Sequence, residues 1–226
     1  MKRSIVLLMV VLSFAAAVNA DLIVDNFESY ADSAALNAAW VKNTGSLIVN
    51  ETLETFLNGK CMLITNTAQS SPYFVQTKLT LPGVVAGVSG VNLSYLGGTG
   101  MKMTFVVPPN NTSIQPYGSL GGSGGDVFIS LYNCWGGKVW SASYAGDVTP
   151  SNTGYPNGVV WETSFSTGME AGQNLENVAI ITIGYDKCYY GSGCMLVDDV
   201  TVVGAIPEPA TMVILGLGGL LLRKRK

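Results

Sequence analysis

Beyond residue 45 the chain alternates apolar and polar residues with a period of two. Met101, Met103, Phe105 and Val107 fall on one parity and Lys102 and Thr104 on the other, and Val127, Ile129 and Leu131 share a face. Val159, Trp161, Thr163 and Phe165 oppose Val160, Glu162, Ser164 and Ser166, and Val91, Leu93 and Tyr95 alternate with Asn92 and Ser94. Successive side chains of an extended strand point to opposite faces, so this period predicts half-buried antiparallel strands with one face on a core. Cys61 to Thr65, Tyr73 to Leu79, Lys138 to Tyr144, Val178 to Gly184 and Met195 to Val203 read as further strands.

Clusters such as Pro108-Pro109-Asn110-Asn111 and Thr149-Pro150-Ser151-Asn152 separate these segments. Many short strands with such punctuation predict an all-β antiparallel sandwich. One short helix is expected over residues 32–40, where Ser33 is placed to cap a turn containing Ala34, Ala35, Leu36 and Ala38. Trp161 and Trp40 read as core. Trp140 and Tyr144 lie on one strand face and suit either a core or a binding platform.

The two ends of the chain follow a different pattern. Lys2 and Arg3 precede an apolar run from Ile5 to Val18 and a small-residue site at Val18-Asn19-Ala20, the three parts of a secretory signal peptide with its helix cut before Asp21. At the other end Pro207-Glu208-Pro209 leads into a second apolar run and then Arg223-Lys224-Arg225-Lys226. Ala210 to Leu222 is 13 residues, about 20 Å of helix against a hydrocarbon core about 30 Å thick. Such a short apolar helix suits a transient hold in the inner membrane better than a permanent span. The order Pro-Glu-Pro, short apolar helix and basic cluster closely resembles the PEP-CTERM protein-sorting signal of Gram-negative bacteria. That resemblance implies processing near Pro207, Glu208 and Pro209 by a membrane-embedded exosortase, with export machinery as a partner. It also implies a host that makes extracellular polysaccharide and a product at the cell surface or beyond. The chain thus divides into a signal peptide at 1–20, one domain at 21–205 and a sorting signal at 206–226.

Removing the two targeting segments changes the charge. Six lysines face fourteen carboxylates in residues 21–205, a formal −8, with no arginine there and no histidine anywhere. Without His there is no Ser-His-Asp or Cys-His nucleophile and no His-ligated zinc. Without Arg there is no bidentate phosphate clamp, and the acidic balance opposes nucleic-acid binding. The glycine runs Gly97 to Gly100 and Gly118 to Gly125 lack the residues of a phosphate loop and read as connections. Four cysteines in an exported chain point to disulfides. Cys188 and Cys194 flank a turn-like Tyr-Tyr-Gly-Ser-Gly and are the favoured pair, leaving Cys61 with Cys134; their spacing is not that of a zinc site.

Asp25-Asn26-Phe27-Glu28-Ser29-Tyr30, with Leu36 and Trp40, resembles the first strand of galactose-binding-like jelly rolls, the fold of many carbohydrate-binding modules. The closing Leu196-Val197-Asp198-Asp199-Val200-Thr201-Val202 resembles their last strand. The resemblance implies a jelly-roll sandwich whose first and last strands meet, with a structural calcium near Glu28 and Asp198, or Asp199 if the register moves by one. Calcium takes six to eight oxygens, so carbonyls or waters would complete it.

Sugar rings stack on aromatic faces. Trp135, Tyr117 and Tyr155 sit among Gly, Pro and Asn and are the candidate glycan-binding residues. A polysaccharide-degrading enzyme would need a carboxylate pair, and no spacing singles one out among Asp126, Asp147, Glu162 and Glu170. Sequons at Asn50, Asn92, Asn110 and Asn111 and the Ser/Thr/Asn/Gly-rich composition also suit a structural matrix protein without a discrete ligand. The leading expectation is a non-catalytic exported protein associated with extracellular polysaccharide.

Overall fold

The period-two segments fold as two antiparallel sheets packed face to face. The computed structural model describes residues 19–43, 50–56, 59–66, 74–107, 127–144, 158–186 and 193–207. In chain order the elements are β1 (Asn19–Asp25), α1 (Ser33–Ala39), β2 (Trp40–Lys42), β3 (Asn50–Phe56), β4 (Gly59–Asn66), β5 (Phe74–Thr80), β6 (Gly98–Val106), β7 (Val127–Asn133), β8 (Lys138–Tyr144), β9 (Val159–Ser164), β10 (Val178–Asp186) and β11 (Gly193–Pro207). One sheet has the order β3-β4-β11-β6-β9, with β1 also paired to β11; the other has the order β2-β5-β10-β7-β8. The chain crosses repeatedly between the sheets, and its first and last strands pair, giving a jelly-roll β-sandwich.

Met62, Ile64, Met101, Met103, Phe105, Met195 and Val197 of the first sheet face Val75, Ile129, Leu131, Trp140, Ile181, Ile183 and Tyr185 of the second. At roughly 25 cal/mol per Å² of apolar area removed from water, this shared layer is the main favourable term for the fold. Trp40 and Trp140 are fully buried. Trp161 and Tyr144 are half-buried and meet each other and Phe105 edge to face, so Tyr144 and Trp140 belong to the core.

β11 exchanges partners along its length. Its first half pairs with β4 from Gly193 to Val197, and its second half pairs with β1 from Val200 onward. The change falls at Asp199, whose φ of 50° forms a bulge against β6. β1 begins at Asn19, opposite Pro207, so paired strands extend to both targeting segments.

Several expectations are corrected. Val91 to Tyr95 is not a strand: only Val91 bridges to Val178, and Asn92 accepts the Tyr95 N–H through Oδ1 at 2.7 Å, closing a turn. The helix is capped by Asp32, not Ser33, with Asp32 Oδ1 accepting Ala35 N–H at 2.9 Å. The first strand ends at Asp25, where the resemblance had it start. β2 and β3 carried no clear alternation. The signal helix and the C-terminal apolar helix fall on residues 1–18 and 208–226, outside the described residues. Among the described residues no helix is long and apolar enough to cross a membrane.

Gly168 shows how closely the connection after β9 packs on the core. Its φ is +79°, and an added Cβ would lie 2.1 Å from the Ser141 carbonyl oxygen. The neighbouring Thr167 carbonyl accepts Trp140 Nε1–H at 2.6 Å. Gly168→Ala is expected to cost about 2 kcal/mol or more, from a left-handed backbone and a backbone clash that no rotamer relieves. Chemical denaturation monitored by tryptophan fluorescence measures this, and an unchanged midpoint would contradict it.

Candidate functional site

Carboxylates gather where β1 gives way to β4 along β11. Asp25 is buried, its Oδ1 accepting Phe27 N–H at 2.8 Å and its Oδ2 accepting Tyr30 Oη–H at 2.6 Å and Trp40 Nε1–H at 2.7 Å. Burial and the Asp25 charge push the Tyr30 hydroxyl well above its usual range. Glu28 Oε1 accepts Lys60 N–H at 2.8 Å, and Lys60 Nζ donates to the Tyr30 carbonyl at 2.6 Å and the Glu28 carbonyl at 3.3 Å.

These contacts bear on calcium. The Asp25 oxygens and the Glu28 and Tyr30 carbonyls are already engaged, and the Lys60 ammonium supplies positive charge at this corner. Among the described residues no group of three His, Cys, Asp or Glu side chains is arranged to hold a metal ion. A calcium near Glu28 and Asp198 would share the Glu28 and Tyr30 carbonyls with the Lys60 ammonium.

Asp198 is half-buried, its Oδ1 accepting Asp199 N–H at 2.8 Å. Burial pushes its carboxyl up from 3.8 to about 6, and the charges of Asp199, Glu28 and Asp25 add to the rise while the Asp199 N–H opposes it. Beside it Cys61 lies buried on the outer side of β4 with Val106 and Leu196. Burial, with the nearby Asp198, Glu54 and Glu28 charges, pushes that thiol up to about 12, which makes it a poor nucleophile. Cys61 and Cys134 are both free thiols. The pairing of the two is therefore corrected: Cys61 is on β4 of one sheet, and Cys134 follows β7 in the other. The Cys188–Cys194 pairing involves Cys188, outside the described residues.

Of the candidate glycan residues, Trp135 alone falls within the described residues. Trp135 is 61% exposed at the tip of the β7–β8 turn, where its Nε1–H donates to the Gly87 carbonyl at 3.1 Å. Tyr117 and Tyr155 lie outside the described residues. The segments carrying them leave from Val107 and Tyr144, at the end of the sandwich opposite Trp135. Of the candidate acids, Glu162 is exposed on the edge strand β9 and Glu170 pairs with Lys138 at 2.7 Å, while Asp126 and Asp147 are outside the described residues.

A surface that sequence reasoning missed lies on the outer face of the five-stranded sheet. Register places Val41, Lys78, Thr182, Ser130 and Ser141 in one row across β2, β5, β10, β7 and β8. The row on one side holds Thr80, Ile180 and Tyr132; the row on the other holds Gln76, Gly184, Phe128 and Ser143. Tyr132 and Phe128 stand four residues apart on β7, about 13 Å at strand rise. Gly184 carries no Cβ that would meet the Phe128 ring, which lies 2.8 Å from where that atom would be. Thr182 is fully buried, and its Oγ1 has no hydrogen-bond partner among the described residues. The sequence signal was weak because the outward positions of β10, Ile180, Thr182 and Gly184, interrupt an otherwise apolar run.

Residues 205–226 match the model of the PEP-CTERM protein-sorting motif. The chain ends in a PEP-CTERM sorting signal. That signal marks an exported protein. No curated protein sequence matches the chain. Among solved structures, the family 11 carbohydrate-binding module of a cellulosomal cellulase of Clostridium thermocellum aligns with 17% identity and a TM-score of 0.52, over 83% of this chain and 96% of that one. A family 30 carbohydrate-binding module aligns with 11% identity and a TM-score of 0.54, over 82% and 99%. An arabinose-bound α-L-arabinofuranosidase aligns with 11% identity and a TM-score of 0.51, over 84% of this chain but 27% of the enzyme. At these identities the likeness establishes the fold, a jelly roll that spans nearly all of the two module chains and about a quarter of the enzyme chain.

Asp198 is expected to make the sandwich's stability depend on pH. Its folded-state value of about 6 lies above the usual 3.8, so the folded chain binds this proton more tightly than the unfolded chain does. Its contribution is then most favourable when protonated and is lost as pH rises from about 4 through 6. With screening by solvent at a half-exposed group, the loss is about 1 kcal/mol. Asp198→Asn, which keeps the acceptor for Asp199, is expected to gain about that much in chemical denaturation at pH 7.5 and almost nothing at pH 4. An equal gain at both pH values would contradict this origin.

Proposed function

We propose that this is an exported protein of the cell surface or extracellular matrix, processed by exosortase. Its sandwich holds extracellular polysaccharide on the outer face of the five-stranded sheet without cleaving it. The observation that carries the reading is the placement of the partly exposed Tyr132, Phe128, Lys78, Gln76 and Ser141 on that face, around a floor of buried Thr182 and Ser130. Flat rings beside hydroxyls and one ammonium suit a ligand with apolar C–H faces and a rim of hydroxyl groups.

Two further findings support this reading. The sorting motif supports export, and solved modules of the same fold carry the name carbohydrate-binding.

Affinity electrophoresis of the full chain in mild detergent tests this, with soluble polysaccharides in the gel, the host's own exopolymer among them. Retardation by at least one polymer is expected, weakened about tenfold in Tyr132→Ala, in line with a lost ring contact of roughly 1.4 kcal/mol. Retardation unchanged in Tyr132→Ala and Lys78→Ala would move the site off this face. No retardation by any polymer would favour a structural matrix protein without a discrete ligand.

A further inference from the structure

Both apolar targeting runs leave the sandwich side by side. Asn19, the first residue of β1, pairs with Pro207, the last residue of β11. The apolar run Ile5 to Val18 abuts Asn19 directly, and only Glu208 to Thr211 separate Pro207 from Met212. Four residues reach at most about 14 Å when fully extended. Whichever run is held in the bilayer, this end of the sandwich is kept against it.

The same end carries the largest exposed apolar side chains of the connecting loops. Val85 is 53% exposed, Val88 68%, Tyr95 87% and Trp135 61%. No charged residue occurs from Leu81 to Gly98 or from Leu131 to Gly137. The two loops are fixed to each other: Gly87 N–H donates to the Cys134 carbonyl at 2.7 Å and Trp135 Nε1–H to the Gly87 carbonyl at 3.1 Å. They are also fixed to the exit strand, since Gly98 pairs with Gly204 and an added Cβ at Gly204 would meet the Gly97 carbonyl at 2.2 Å. Lys138, the nearest cation in sequence, is held by Glu170, and the exposed Glu176 borders the two loops from the connection that bonds to them through the Leu175 and Asn177 carbonyls.

We propose that this uncharged tip, with Val85, Val88 and Trp135 at its apex, rests in the interfacial layer of the membrane that holds the sorting helix. Tryptophan favours that layer because its ring is apolar and its N–H polar. The tip sets the orientation of the tethered domain, with the bilayer at the exit end and the strand ends at Val107, Tyr144 and Asp186 farthest from it. The inference rests on the sorting tail being held in a membrane and is independent of polysaccharide binding.

The test is to reconstitute the full chain into phosphatidylcholine vesicles with plain or brominated acyl chains. Trp40 and Trp140 are buried in the core, Trp161 is half-buried along β9 opposite Met103, and neither apolar run contains tryptophan, so the part of the bromine quenching lost in Trp135→Phe reports on Trp135. The expected result is co-flotation with the vesicles and quenching by brominated lipid that is abolished in Trp135→Phe and at least halved in Val85→Asp/Val88→Asp. Co-flotation without quenching, or quenching that persists in Trp135→Phe, overturns the tip contact while leaving the tether intact. Failure to co-float overturns the tether and the tip together. A Trp135 emission change caused by the exopolymer and not by lipid would assign the tip to glycan.

Discussion

The closure of this sandwich depends on one buried carboxylate. Asp25 sits where β1 stops, and its two oxygens gather the Phe27 backbone, the Tyr30 hydroxyl and the Trp40 indole. A carboxylate out of water is tolerated only when donors replace its hydration, and hydrogen bonds to a charged acceptor are roughly twice as strong as neutral ones. The consequence is geometric. The bond to Trp40, fifteen residues along, fixes the short helix against the first strand and delivers the indole into the layer between the sheets, beside Phe27. Because β1 pairs only with the second half of β11, the same corner leaves room for β4 on the first half. Lys60 then closes it with its ammonium on two carbonyls.

Much of the fold was legible because one face of each long strand is buried. Alternation marked β6, β7, β8 and β9, and the apolar core of β10 and β11 was visible in Ile181, Ile183 and Val197. Val91 to Tyr95 showed the same period and formed a turn, because the Asn92 side chain satisfies the Tyr95 amide locally and Gly97 and Gly98 follow at once. β2 is only three residues long and β3 is an edge strand, so neither needs a clean apolar face. The sorting signal was readable because it is a linear order of residue types. The sheet-face site was not, because Lys78, Thr182, Ser130, Tyr132 and Phe128 come from three strands and become neighbours only through register.

The two ends of the sandwich differ in what the chain attaches to them. The targeting segments leave from one end, and the long connections bearing Tyr117 and Tyr155 leave from the other. The outer face of the five-stranded sheet runs between them, with Lys78, Phe128, Tyr132 and Ser141 partly exposed. Asp198, half-buried among other carboxylates, shows that the closing corner is held by hydrogen bonds and packing, against its own charge.

Methyl-detected NMR of the protein titrated with soluble fragments of the host's exopolymer decides whether that face is the binding surface. Shifts of the Ile180 and Thr182 methyl groups, with Val160 on the opposite sheet unmoved, are the predicted result. Shifts confined to Val160, or none at saturating fragment, would contradict it.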